Sequence, residues 1–136
     1  MTFNFIVDSG ATDVTIPANV VATLMKMGTL SDRDFMGRKT YVLADGSRIP
    51  SETFQIRSLT VGDWLVKDVT AGVTPAGAAP LLGQSFFSRL KSWSIDNVNQ
   101  TLVLVISLGD GTSAHPPPKE PAGNTPAVAL KPNAPP

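Results

Sequence analysis

The run Phe5-Ile6-Val7 ends directly in Asp8, followed by Ser9, Gly10, Ala11 and Thr12. Aromatic and β-branched residues in such a run predict a buried strand over Phe3–Val7, and Ser9-Gly10 predicts the turn that ends it. An aspartate at this junction is carried toward an apolar interior, which is costly for a carboxylate without hydrogen-bond partners. Two readings of Asp8 follow. Either it caps the turn by accepting the amides of Gly10 and Ala11, or it is held there for chemistry. The segment alone leaves both open.

The rest of the chain reads as short strands broken by turns. Val14-Thr15-Ile16 is a second strand. Pro17 opens a helix with Val20, Val21, Leu24 and Met25 on one face and Gly28 as its stop. Tyr41–Ala44 and Ile49–Ile56 form a hairpin around Asp45-Gly46-Ser47, since Asp-Gly between apolar runs favours a tight turn. A second hairpin is expected at Ser58–Val61, Gly62-Asp63 and Trp64–Val66, with a further strand at Val69–Val73. Pro80-Leu81-Leu82-Gly83 leads into a short helix over Gln84–Leu90, with Phe86 and Phe87 as core. Trp93–Ile95 and Thr101–Val105 flank a turn that Asp96 caps. The expectation is a mainly β domain, a closed or sandwiched sheet with one or two short helices.

Composition narrows the function. Of 136 residues, 42% are hydrophobic and 16% charged, values that suit a folded domain. The formal net charge is zero, which gives no reason to expect a nucleic-acid or anionic-membrane surface. The absence of cysteine excludes disulfides and thiolate chemistry. No His, Asp and Glu cluster has metal-ligand spacing, so neither metal nor cofactor is expected. Ser9 has no histidine partner of the kind a serine hydrolase needs. No apolar run approaches the roughly 18 residues of a membrane helix. Met1-Thr2-Phe3-Asn4 is not a signal peptide. The compartment stays open between cytoplasm and periplasm, and any residues missing upstream would take a signal or anchor with them. Eight of the twelve prolines lie between Pro116 and Pro136. The chain therefore divides into a folded domain over residues 1–106 and a Pro-rich disordered tail over residues 107–136. Pro116-Pro117-Pro118 is a spacer or a ligand for a proline-recognition partner, and His115 falls in this tail.

Three segments, taken together, resemble the retropepsin-like aspartic proteases, especially their bacterial single-domain members. FIVDSGATDVTIP (Phe5–Pro17) matches the strand and turn that present the catalytic aspartate. YVLADGSRIP (Tyr41–Pro50) resembles the flap hairpin. PLLGQSFFSRLKSWSIDNVNQTLVL (Pro80–Leu104) resembles the hydrophobic-hydrophobic-Gly segment, short helix and final strands. The resemblance implies a single acid-protease lobe and an aspartic endopeptidase acting on extended peptides, favoured by mildly acidic pH. One such aspartate per chain implies a homodimer with Asp8 of each copy at the axis. Ser9, Gly10 and Ala11 would support the active-site loop. Ala44, Asp45 and Gly46 would form the flap, and Leu81, Leu82 and Gly83 would pack beneath the floor.

The match is incomplete. Retroviral members carry an acid four positions after the catalytic aspartate and an arginine just after the later glycine. Here those positions hold Thr12 and Gln84, a neutral pair. Asp13 is expected to line the cleft or to pair with Arg48 or Arg89. The family also has a strand or hairpin before the catalytic strand, whereas this chain starts almost at it. A missing first strand would expose an edge, and Thr101–Val105 is the expected dimer-closing strand. The alternative reading is a catalytically inactive dimerisation or peptide-binding module on the same fold.

Overall fold

Residues 1–106, and the backbone of residues 127–129, are described in the computed structural model of the chain. The expected tail otherwise lies outside the described residues, His115 and Pro116–Pro118 included. The described residues form nine strands and two α-helices: β1 (Ile6–Val7), β2 (Val14–Pro17), α1 (Ala18–Lys26), β3 (Phe35–Val42), β4 (Arg48–Val61), β5 (Trp64–Thr74), β6 (Leu81–Leu82), α2 (Gln84–Phe87), β7 (Ser92–Asp96), β8 (Thr101–Val105) and β9 (Ala127–Ala129). This is the expected mainly β lobe with two short helices.

Six strands make one sheet in the order β1-β6-β2-β5-β4-β3, and three make another in the order β7-β8-β9. β1 is parallel to β6, with Ile6 opposite Leu81 and Val7 opposite Leu82. β6 turns back antiparallel onto β2, which in turn runs parallel to β5. The chain just after β1 and the chain just after β6 are thereby brought together. Only Ile6 and Val7 of the expected Phe3–Val7 strand pair in the ladder. Phe3 and Phe5 instead pack edge to face, with ring centroids 6.1 Å apart.

Helix α1 forms for the predicted reason. Val21 is buried, and Val20, Leu24 and Met25 pack partly buried against the same core. Pro17 occupies the N-cap position with extended backbone. Gly28 ends the helix at φ +75°, a conformation that costs glycine little.

The hairpins are longer than the sequence suggests. β4 is one strand of 14 residues rather than two. Its register with β5 is constant, from Thr53 opposite Gly72 to Val61 opposite Trp64 across the Gly62-Asp63 turn. Arg57 and Asp68 interrupt the pairing without shifting it, and Asp68 takes a positive φ of 59° there. β3 begins at Phe35, six residues before the predicted Tyr41. It is an edge strand and mostly exposed, so it has no need of the apolar alternation by which strands are recognised. The register with β4 shifts between Phe35 and Gly37, and Gly37 has φ +98°.

The core joins both sheets and α2: Val14, Phe54, Val66, Leu82, Phe86, Leu102 and Leu104 are all fully buried. Trp93 stacks on Phe87 with centroids 4.4 Å apart. Asp96 caps its turn as expected, accepting from the amides of Val98 and Asn99. One expectation is corrected. β8 was to offer an edge to a second copy, but both its edges are paired, one by β7 and one by β9.

A 3-10 turn at Asp32–Asp34 feeds β3. The Ser31 amide donates to the Asp34 carboxylate at 2.9 Å, and the Arg57 guanidinium donates to it from β4, also at 2.9 Å. The Ser31 amide bond above all, with help from Arg57, holds the Asp34 carboxyl below its ordinary 3.8. A carboxylate depressed on folding stabilises the protein above its unfolded pKa, and that contribution is lost as pH falls through the folded value. Asp34→Asn is therefore expected to lower the urea midpoint at pH 7, and the gap from wild type should shrink below about pH 3.8, the unfolded value. An equal gap at both pH values would contradict this.

Candidate active site

Asp8 leaves the sheet at the end of β1, where its amide donates to the Leu82 carbonyl at 3.0 Å. The side chain is half-buried, so the sequence-based picture of a carboxylate enclosed in the interior is too strong. The Gly10 amide donates to Asp8 Oδ1 at 3.0 Å. The Ala11 amide donates to the Asp8 carbonyl at 3.2 Å. Of the two bonds expected of a turn-capping carboxylate, one is made by the side chain and one by the main chain. Ser9 and Gly10 are exposed, and Ala11 is half-buried.

The loop Asp8–Asp13 rests on the chain that follows β6. Gly83 passes so close beneath that a Cβ there would lie 2.3 Å from the Asp13 carbonyl oxygen and 2.8 Å from that of Ala11. The Gln84 amide then donates to the Ala11 carbonyl at 2.8 Å, and the Ser85 amide to the Thr12 carbonyl at 2.9 Å. The Gln84 side chain reaches back and donates from Nε2 to the Ser9 carbonyl at 2.8 Å. Ser85 Oγ accepts the Val14 amide at 2.8 Å and donates to the Thr70 carbonyl at 2.7 Å. The three residues expected beneath the floor divide their positions. Leu82 is buried in the core, Gly83 lies under the loop, and Leu81 borders the cleft.

A cleft of about 530 Å³ separates this floor from the β3–β4 hairpin. Asp8, Gly10 and Ala11 border it below; Val42, Leu43, Ala44 and Ile49 border it above. Val42, at 64% exposure, and Leu43 and Ile49, at 44% each, are strongly exposed for apolar residues, and all three face this cleft. The connecting turn is wider than the predicted Asp45-Gly46-Ser47, because the ladder ends at Val42 opposite Arg48. Of the three predicted flap residues, only Ala44 borders the cleft; Asp45 and Gly46 form the exposed turn. Gly46 has φ +87°. Asp45 Oδ1 accepts from Ser47 Oγ at 2.6 Å and from its amide at 2.8 Å. These bonds, the hydroxyl's first, hold the Asp45 carboxyl below its ordinary range.

Asp13 is 5% exposed and lies at the cleft wall. Its partners are neither Arg48 nor Arg89. Lys39 Nζ donates to its Oδ2 at 2.9 Å and the Tyr41 hydroxyl at 2.7 Å. Arg89 instead donates to the Asp68 carbonyl. Burial first, and then the bond to Asp13 and its negative charge, push the Tyr41 hydroxyl far above its ordinary value, so it remains a donor. Sequence reasoning gave Ser85 and Lys39 no place in the site, and it did not foresee the bonds that Gln84 and Tyr41 make there. The signal for Ser85 was its place in an otherwise apolar Phe86-Phe87 approach. Nothing local singled out Lys39 or Tyr41, because their partner lies 26 and 28 residues away.

Among the described residues, no group of three or more His, Cys, Asp or Glu side chains is placed to hold a metal ion. Nor, among them, is any helix long and apolar enough to cross a membrane.

A single aspartate on a strand-to-loop junction, beneath a hairpin and above a Gly-anchored strand, is the arrangement of one aspartic-protease lobe. The family described as gag-polyprotein putative aspartyl protease has a model that matches residues 1–89. The chain belongs to this retropepsin-like family. It is also similar to a crystal structure of a retropepsin-like aspartic protease from Rickettsia conorii, at 26% identity and a TM-score of 0.48, covering 68% of this chain and 66% of that one. No curated protein matches the sequence. Membership of this family supports a protease-type function.

The Gly83 crossing makes a prediction. Gly83→Ala forces a Cβ against two carbonyls and is expected to destabilise by about 1–3 kcal/mol in urea unfolding, and to shift the amide resonances of residues 8–13. Gly10→Ala places its Cβ 3.4 Å from Asp8 Oδ1, an ordinary contact. It is expected to cost no more than about 0.5 kcal/mol. Equal costs would show that the crossing is not tight.

Proposed function

We propose that the protein is an aspartic endopeptidase whose catalytic centre is a pair of Asp8 residues, one from each copy of a homodimer. The observation that carries this reading is the placement of Asp8 at the floor of a cleft roofed by a hairpin, in a chain of the aspartyl protease family. The apolar roof and a cleft volume of about 530 Å³ suit an extended peptide segment lying between hairpin and floor.

Two carboxylates at short range share one proton, because both cannot easily ionise. The ionised member takes a proton from a water as that water's oxygen bonds to the scissile carbonyl carbon. The protonated member gives its proton to the carbonyl oxygen. Collapse of the resulting gem-diol breaks the C–N bond. A carboxyl proton goes to the departing amine, and the shared proton is restored. In this reading Ser9 braces the two loops at the axis, Gly10 and Ala11 keep the floor low, and Ala44, Asp45 and Gly46 cover the bound peptide. Residues 1–106 are the enzyme domain and residues 107–136 a Pro-rich tail serving as spacer or docking segment.

A second reading is a peptide-binding module without catalysis. It is favoured by the bond from the Gly10 amide to Asp8 Oδ1, which accounts for the carboxylate without chemistry, and by β8 having no free edge for a second copy.

Incubation of the purified protein with an unstructured peptide at mildly acidic pH separates the two. Cleavage is expected, and Asp8→Asn should reduce it by about 10²–10⁴-fold with unchanged circular dichroism. Sedimentation should show a dimer. Undiminished cleavage by Asp8→Asn would sink the catalytic assignment, and absence of cleavage by a dimeric wild type would favour the binding module.

A further inference from the structure

Asp13 is joined to the hairpin by two bonds that cross the end of the cleft. The carboxylate belongs to the loop that carries Asp8. Both donors, Lys39 and Tyr41, belong to β3, the outer strand of the roof. They are two residues apart and so point to the same face of the strand. Lys39 Nζ also lies 5.4 Å from the centre of the Tyr41 ring. Among the described residues β3 pairs with β4 alone, so there the roof is held to its own sheet on one side.

A second observation, independent of these bonds, concerns Gly72 near the C-terminal end of β5. It is flanked by Thr53 of β4 and Thr15 of β2. A Cβ at Gly72 would lie 2.8 Å from the Tyr41 hydroxyl oxygen and 3.1 Å from the ring carbon that carries it. Glycine weakens a central strand, and its presence there marks a close approach by another group. That group is Tyr41, whose ring crosses β5 to reach Asp13. A buried ion pair is an uncertain source of net stability, because desolvation offsets the attraction. Joining the roof strand directly to the floor loop, at the far side of one sheet, is a different role, and the geometry fits it.

We propose that Asp13, Tyr41 and Lys39 form a latch that sets the height of the hairpin above the Asp8 floor, with Tyr41 and Lys39 as positioning residues and Gly72 as the gap through which the latch closes. The proposal deepens the protease reading by assigning control of access to the cleft, but the latch itself exists whether or not Asp8 is catalytic. Burial and the neighbouring charge keep the Tyr41 hydroxyl protonated and donating near neutral pH.

The test measures the hairpin's position directly. The chain contains no cysteine, so Arg48→Cys at the hairpin and Ala22→Cys on α1, both exposed positions, give a clean pair for spin labels. Dilution with unlabelled protein removes distances between copies. In the labelled background, Tyr41→Phe is expected to raise the ratio of long to short distances about tenfold, the effect of losing one hydrogen bond to a charged group. Gly72→Ala, which keeps the hydroxyl but blocks its path, should do the same. Asp13→Asn retains an acceptor for Tyr41 and should stay closer to wild type than Asp13→Ala. A role confined to stability would lower the urea midpoint of these variants while leaving the distance distribution unchanged, and that result overturns the proposal. The measurement needs no substrate, so failure of the latch is separable from failure of the Asp8→Asn cleavage test.

Discussion

The passage of Gly83 beneath the Asp8–Asp13 loop is the contact on which the rest of the site depends. A loop that leaves one strand and enters another exposes carbonyl groups that must find donors. The carbonyls of Ser9, Ala11 and Thr12 find them in Gln84 and Ser85. This is possible only because residue 83 has no side chain, so two segments of backbone lie in contact without an intervening atom. The parallel pairing of β1 with β6 brings the segments together, and the hydrogen bonds then fix the loop in one conformation. Asp8 and Asp13 take their positions from that conformation.

From this base the charge distribution of the site follows. The neutral Thr12 and Gln84 stand where retroviral relatives place an acid and an arginine, and Gln84 braces the loop through the Ser9 carbonyl without any charge. The loop's charged pairing is made instead by Asp13, with both partners on β3. A carboxylate as deeply buried as Asp13 is tolerated because a cation and a hydroxyl both donate to it. Neutral bonds brace the floor, and the charged bond ties that floor to the hairpin above it.

Much of the fold was legible in the chain. The Phe5–Asp8 junction, the helix between Pro17 and Gly28, the Gly62-Asp63 turn and the Leu81-Leu82-Gly83 approach all carry local signals: apolar runs, helical spacing and turn residues. The first half of β3 was not legible, since an exposed edge strand such as Phe35–Thr40 needs only backbone pairing and leaves its side chains free to be Arg, Lys and Gly. The division of β4 into two predicted strands has the same origin. Arg57 breaks the apolar pattern, yet the ladder continues on both sides of it.

The sequence by itself determined that an aspartate would stand at the end of an apolar strand with a glycine-containing turn behind it, and that a hairpin and a Gly-preceded short helix would follow in family order. Each of these depends on residues close together in the chain. Only the tertiary structure decided which groups hold that aspartate's loop and which partners Asp13 takes. Charge alone made Arg48 and Arg89 as plausible as Lys39. The choice fell to β3 because Gly72 leaves room for the Tyr41 ring, and Lys39 lies two residues away on the same face of the strand. Contacts between residues tens of positions apart are set by register and by the space that a missing side chain leaves, and neither is written in any one segment.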